Sequence, residues 1–243
     1  MKKAIFNWSG GKDSALSLYH CFKDGKFNIK YLLTTVSESY YRVSMHGVRR
    51  ELLWLQAQSI GKKLKEVFLP ENASLNIYDE VMKRNLKELK KEGIDYSIFG
   101  DIFLEDLRQY RENRLEEIPM KGVFPIWGRS TKEIMSEFIE LGFKAVVVCV
   151  NEKYLDKSFA GRLIDSSFLS NLPANVDPCG ENGEFHTFVF DGPIFSKSVS
   201  FQLGEIVYKK YETSSNKKDE DCCSKNNVDS FDTGFWYLDL LVK

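Results

Sequence analysis

The residues best equipped for chemistry stand near the start of the chain, in the run Ser9-Gly10-Gly11-Lys12-Asp13-Ser14. Residues 4–8 before it form a short apolar run that predicts a buried strand. Ala15, Leu16, Leu18, Tyr19 and Phe22 after it repeat at the spacings of three and four that predict a helix. Strand, glycine turn and helix therefore follow one another. Gly10 and Gly11 can adopt positive φ, so consecutive N–H groups can turn inward as an anion nest, and the helix adds its positive end. Lys12 contributes a full charge, and Ser9 and Ser14 contribute hydroxyl donors. Such a place suits phosphate.

The spacing narrows the kind of phosphate site. A Walker A loop needs four residues between its glycines and a hydroxyl after the lysine, whereas Asp13 follows Lys12 here. A dinucleotide fingerprint needs Gly-x-Gly-x-x-Gly, which is absent at this turn. The hexapeptide resembles the pyrophosphate loop of the ATP pyrophosphatases, which split ATP between its α and β phosphates. A plain glycine turn with Asp13 or Ser14 as helix cap is the alternative.

A second chemical cluster is Cys179-Gly180-Glu181-Asn182-Gly183-Glu184-Phe185-His186. Asn182-Gly183 is a favoured hairpin turn, and a simple turn is the bland reading. Three ionisable groups lie within six residues, however, and alternation along a strand starting at Phe185 would put Glu184 and His186 on one face. They could then hold a polar substrate or take a proton. Arg108, Arg111 and Arg114, three apart, form either a solvated face paired with Glu105, Glu112 and Glu116 or a row facing a substrate.

These residues need a frame, and 243 residues allow one large or two small domains. The net charge of −1 argues against a chain held mainly by nucleic acid or anionic lipid. No leader pattern or long apolar run stands out, so a cytoplasmic protein without membrane contact is expected. The five cysteines show no repeated Cys-x-x-Cys, which suits a reducing compartment and offers no zinc site, and Cys222 and Cys223 read as exposed bystanders.

Strands are expected at residues 28–36, 64–69, 96–102 and 122–127, alternating with helices at 49–60, 77–92 and 104–117. This pattern predicts a parallel sheet covered on both faces, with ligands beyond the carboxyl ends of its strands. Ile77, Val81, Leu86 and Leu89 are the expected inward face of the 77–92 helix. Ser130 with Glu133 reads as a capping box for a helix ending near Gly142. Residues 144–150 form the most apolar strand, expected at the centre of a second layer. Short helices within 154–172, strands at 185–190, 199–203, 205–208 and 235–242, and a flexible polar excursion over 213–233 complete the reading. The boundary is placed near Gly128, giving an ATP-binding unit at 1–128 and a substrate-binding unit at 129–243.

The pyrophosphate loop, His46-Gly47-Val48, Gly100-Asp101, Pro125-Ile126-Trp127, Gly161-Arg162 and Glu181-Asn182-Gly183-Glu184-Phe185 together resemble the diphthine-ammonia ligase family, over nearly the whole chain to about Phe190. The resemblance implies an α/β fold: a Rossmann-like parallel sheet of the adenine nucleotide alpha hydrolase type plus a smaller C-terminal α+β domain. It implies a ligase that activates a carboxylate with ATP and lets ammonia displace AMP, as in making diphthamide on elongation factor two.

ATP and Mg²⁺ are then the expected cofactors. Ser9 to Ser14, Gly100 and Asp101 would bind ATP, with Asp13 and Asp101 as magnesium ligands. His46, Arg162, Glu181, Asn182, Gly183 and Glu184 would contact substrate, Lys12 would stabilise the leaving pyrophosphate, and Glu181, Glu184 or His186 would act as base. Lys2 follows Met1 where a glutamine-hydrolysing domain would present cysteine, so free ammonia or a separate subunit is the expected nitrogen source. A homo-oligomer is expected.

Family members resemble Glu-Gly-Gly-Glu-(Tyr/Phe)-Glu at the second motif. Asn182 replaces a glycine and His186 the last carboxylate, which is similar to a sister branch proposed to act in cobalamin salvage. A sulfur-transfer or tRNA-modifying enzyme, with Cys179 as the thiol, and a nucleotide-binding module without turnover are the rivals from other classes.

Overall fold

The computed structural model describes residues 1–43, 46–71, 73–211 and 233–243. Its first layer is built on β1 (Lys2–Asn7), whose apolar centre Ala4, Ile5 and Phe6 is wholly buried because helices cover both faces. Around it stand β2 (Phe27–Ser37), β3 (Lys63–Leu69), β4 (Tyr96–Ile98) and β5 (Lys121–Val123) in the order β3-β2-β1-β4-β5, every pair parallel. The crossovers are α1 (Lys12–Asp24), α2 (Arg50–Ile60), α3 (Leu75–Lys91) and α4 (Glu105–Glu116). The order reverses between β1 and β4, and a parallel sheet opens its ligand crevice at such a reversal.

Two expected strands end early. β4 stops at Ile98, because Gly100 lies against the backbone of α1, where an added Cβ would be 3.0 Å from the Ser14 nitrogen. β5 stops at Val123, since Pro125 has no N–H for a ladder and the chain turns through Trp127. On α3, Leu86 and Leu89 are buried as expected, whereas Ile77 is 42% exposed in the first turn.

The second layer is an antiparallel sheet in the order β7 (Phe185–Asp191), β6 (Lys144–Asn151), β9 (Thr233–Val242) and β8 (Phe201–Tyr211). α5 (Thr131–Glu140) leads into β6, whose interior position buries every residue from Ala145 to Asn151. A 3-10 turn (Lys157–Phe159) and the short α6 (Ser166–Ser170) precede β7, and β8 and β9 complete the sheet. The two strands expected within 199–208 are one, with a register shift between Leu203 and Ile206 around Gly204.

Ser130 stands at the N-cap of α5 but makes no capping bond through its side chain, so the expected box does not form. Thr131 instead donates to Asp177 at 2.8 Å. Apart from Thr233, the excursion expected over 213–233 lies outside the described residues, as do Cys222 and Cys223. One apolar cluster runs through both layers, joining Phe6, Trp8 and Leu16 to Phe168, Phe185 and Phe188. Among the described residues, no helix is long and apolar enough to cross a membrane.

Candidate nucleotide cleft

At the β1–β4 reversal lies a cleft of about 540 Å³. One wall is formed by Ser9 and residues 11–14 with Gly100 and Asp101, and the other by residues 179–181, Gly183 and residues 185–187. Gly10 takes φ 80°, and its carbonyl accepts from Val189 N at 2.9 Å and from Gln56 Nε2 at 3.0 Å. A Cβ at Gly10 would fall 2.8 Å from Gln56 Oε1, so close approach as well as φ requires glycine here.

Gln56 is completely buried on α2. Its amide also donates to Val189 O at 2.6 Å, while its Oε1 accepts from Trp8 Nε1 at 2.9 Å. The loop is thus bonded to both layers. Its amides are also engaged within the protein: Gly11 N donates to Ser9 Oγ at 3.2 Å and Lys12 N to Thr187 Oγ1 at 3.1 Å. Gly11 takes φ −91°, so only Gly10 adopts the positive φ expected of both glycines, and the two loop amides are bonded to hydroxyls of the protein. Ser9 and Ser14 bond each other, and Ser14 Oγ donates to Gly11 O.

Lys12 is only 3% exposed. Its ammonium donates to Asp13 at 2.8 and 3.0 Å and to the Cys179 carbonyl, and lies 5.4 Å from the Phe185 ring. Burial opposes its charge, but Asp13, with help from Cys179 and Glu181, more than compensates and raises its pKa. Asp101 pairs with Arg111 Nε at 2.8 Å. Among the described residues no three His, Cys, Asp or Glu side chains form a metal cage.

The second motif separates its three ionisable groups. Glu184 is completely buried, and its carboxylate accepts from Asp177 N at 2.9 Å, Asn182 N at 2.8 Å and Asn182 Nδ2 at 3.1 Å. It closes its own turn instead of sharing a face with His186, because backbone donors two and seven residues upstream capture it. The Asn182-Gly183 turn joins no strand pair; it ends the loop that enters β7.

Glu181 lines the cleft, and burial, then the negative charges of Asp13, Asp101 and Asp177 against the pull of Lys12, push its carboxyl up to about 8. The His186 ring lies 4.5 Å from that of His46. Burial, with His46 and Lys12 nearby, holds His186 well below the usual histidine range and so neutral.

His46 and Gly183 line the cleft, whereas Asn182 is exposed outside it. Arg162 is also outside, its guanidinium over Phe159 at 4.8 Å and Phe168 at 5.7 Å. The arginine row on α4 divides: Arg108 pairs with Glu112 on its own helix, Arg114 with Asp79 and Glu117, and Arg111 reaches the cleft. The Cys179 thiol donates to Thr131 O at 3.4 Å, and burial pushes its pKa far up. Gln56, Thr187 and Asp177 are organising residues not singled out from sequence. For Gln56 the signal was present: a polar residue on the buried stripe with Leu52, Leu53 and Ile60.

Comparison with known proteins agrees with this architecture. Residues 1–122 match the diphthamide synthase N-terminal domain and residues 130–218 the diphthamide synthase C-terminal domain. Similar relatives named diphthine–ammonia ligase include that of Danio rerio, 27% identical over 227 residues, covering 82% of this chain and 86% of the relative. That of Homo sapiens is 24% identical over 223 residues, covering 82% of each. That of Schizosaccharomyces pombe is 26% identical over 223 residues, and there the match takes 82% of this chain but only 36% of the longer relative. With both family domains matched in order across the two layers, the chain belongs to the diphthamide synthase family.

Proposed function

We propose that the chain is an ATP-dependent, amide-forming ligase of the diphthine–ammonia ligase type. A carboxylate oxygen of the acceptor attacks the α phosphorus of ATP, the bond to the bridging oxygen breaks and pyrophosphate leaves. Ammonium gives up a proton, ammonia attacks the acyl carbon and AMP departs.

The observation that carries this reading is one cleft with two unlike walls. Lys12 and the glycine loop line the same cleft as Glu181, whose carboxyl is pushed up to about 8, and Lys12 would exchange its contacts with Asp13 and the Cys179 carbonyl for the leaving phosphates. Of the three base candidates, Glu184 is committed to its turn and His186 is held neutral as a weak base. Glu181 is therefore the base. Asp13 and Asp101, here paired with Lys12 and Arg111, are the carboxylates that would hold a magnesium ion, which would neutralise phosphate charge there. Two carboxylates suit an ion that keeps phosphate and water ligands. Residues 1–128 act as the nucleotide unit, and residues 129–243 bring Glu181 and His186 to the reacting end of the acceptor.

A buried, protonated Cys179 thiol aimed at a backbone carbonyl weighs against sulfur transfer. Asn182 and His186 at the second motif favour an acceptor different from diphthine within the same chemistry, as in an amide-forming step of corrinoid salvage. The test is AMP production from ATP, magnesium, ammonium and a candidate acceptor: AMP should require both ammonium and acceptor. AMP release that depends on neither would refute the ligase reading.

A further inference from the structure

A second cavity, of about 350 Å³, lies between α3 and α4. Its size falls within the range of about 300–1,000 Å³ usual for small-molecule sites. Leu86, Leu115 and Ile118 line it with apolar surface, and its polar rim is already organised. The Tyr110 hydroxyl donates to Asp79, Asp79 pairs with Arg114 at 2.8 Å, and Glu117 joins Arg114 to Lys83.

This cavity meets the nucleotide cleft along a shared wall that includes Asn7, Tyr78, Phe99 and Arg111. At that wall the Arg111 guanidinium lies 4.5 Å from the centre of the Phe99 ring and already grips a carboxylate, that of Asp101. A planar guanidinium backed by an aromatic ring and carrying five N–H donors is well suited to a second carboxylate. Arg111 is also near the loop, because Gly100, next to Asp101, packs on the Asp13–Ser14 backbone.

We propose that the cavity between α3 and α4 is the acceptor subsite, taking a carboxylate on an aliphatic stem whose charged end meets Arg111 at the mouth of the nucleotide cleft. The role as acceptor rests on the ligase reading; the recognition of a carboxylate does not. It assigns acceptor binding to the first layer as well as the second, and the stem belongs either to a metabolite or to a modified protein side chain.

The probe is hexanoate, titrated calorimetrically into the whole protein loaded with magnesium and a non-hydrolysable ATP analogue, with hexylamine as charge control. Hexanoate should bind saturably and hexylamine should not. Arg111→Gln should weaken hexanoate about tenfold or more, the loss expected for one charge-assisted contact. Asn76→Trp, on the exposed first turn of α3 at the rim of this cavity alone, should do the same while nucleotide affinity stays within about twofold. Equal binding of hexylamine, displacement of the nucleotide by hexanoate, or indifference to both substitutions would overturn the proposal.

In a parallel assay, a cell extract is split by ultrafiltration and each fraction is tested for AMP formation. Activity with the filtrate identifies a metabolite acceptor and activity with the retentate a protein-borne one; in either case Asn76→Trp should raise the amount required. An unchanged requirement would overturn the subsite while sparing the ligase. Saturable hexanoate binding without AMP from any fraction would sink the ligase and leave the carboxylate site standing.

Discussion

The two walls of the cleft are built on opposite plans. The wall from Ser9 to Ser14 is local: a buried strand delivers it, a helix receives it, and six consecutive residues carry its chemistry. The wall from Cys179 to Thr187 is assembled from scattered residues: Glu181 faces the cleft, Glu184 locks the turn, and Thr187 reaches across to the loop amide of Lys12. If the loop binds phosphate as proposed, that site is specified by local backbone conformation and tolerates little substitution. A composite wall can change its acceptor chemistry at single positions while the loop stays as it is.

Substitutions on each wall should therefore fail in different ways. The largest effect is expected at Glu181: Glu181→Gln should slow ammonium-dependent amide formation by about 10²–10⁴, the usual contribution of a general base. Wild-type turnover should rise with pH through about 8, since Glu181 must lose its proton to work, and the variant should lack that limb. Stability should move oppositely. A carboxyl raised in the folded state stabilises below its unfolded pKa and loses that contribution as pH rises through the folded value. Glu181→Gln should therefore melt higher than wild type at pH 9, as calorimetry would show.

On the other wall, Lys12→Ala should reduce AMP formation by at least about a hundredfold, the scale for losing one donor to developing charge. Quenched-flow measurement of pyrophosphate release checks this. Glu184→Gln should act on the fold: replacing one acceptor oxygen by an NH₂ group opposite backbone donors costs about 1–3 kcal/mol. Urea unfolding reads that cost, and activity per folded molecule should change little.

The smallest effect is expected at Asp239, where β9 meets the segment before α2. Burial opposes its charge, yet hydrogen bonds from Arg49 and Arg42 hold its pKa down at about 2. This contribution is present above the unfolded value near 3.9 and fades as pH falls toward 2, so Asp239→Asn should cost about 1–2 kcal/mol at pH 7. Acid titration of both proteins should show the difference vanishing near pH 2.

The contrast between the walls also explains what could be read in advance. The strand–glycine–lysine–helix unit is legible because its causes are neighbours in the chain: apolar residues 4–8, then Gly10 at φ 80°, then the stripe of α1. Alternating strands and helices fix the parallel sheet in the same way. The ends of β4 and β5 depend on what Gly100 touches and on Pro125, and only the second of these is visible in sequence. Gln56 is fixed by bonds to Gly10 and Val189, 46 and 133 positions away. The role of Glu184 comes from competition between a strand face and three nearby donors, which the donors win; alternation alone predicts the loser.

On the proposed reaction, a carboxylate oxygen displaces pyrophosphate from the α phosphorus and leaves with AMP. The most direct measurement uses an acceptor labelled with ¹⁸O in its carboxylate, turned over with ATP, magnesium and ammonium and followed by mass spectrometry. One labelled oxygen should appear in AMP and none in pyrophosphate. Unlabelled AMP, or ADP with label in orthophosphate, would contradict the proposed reaction.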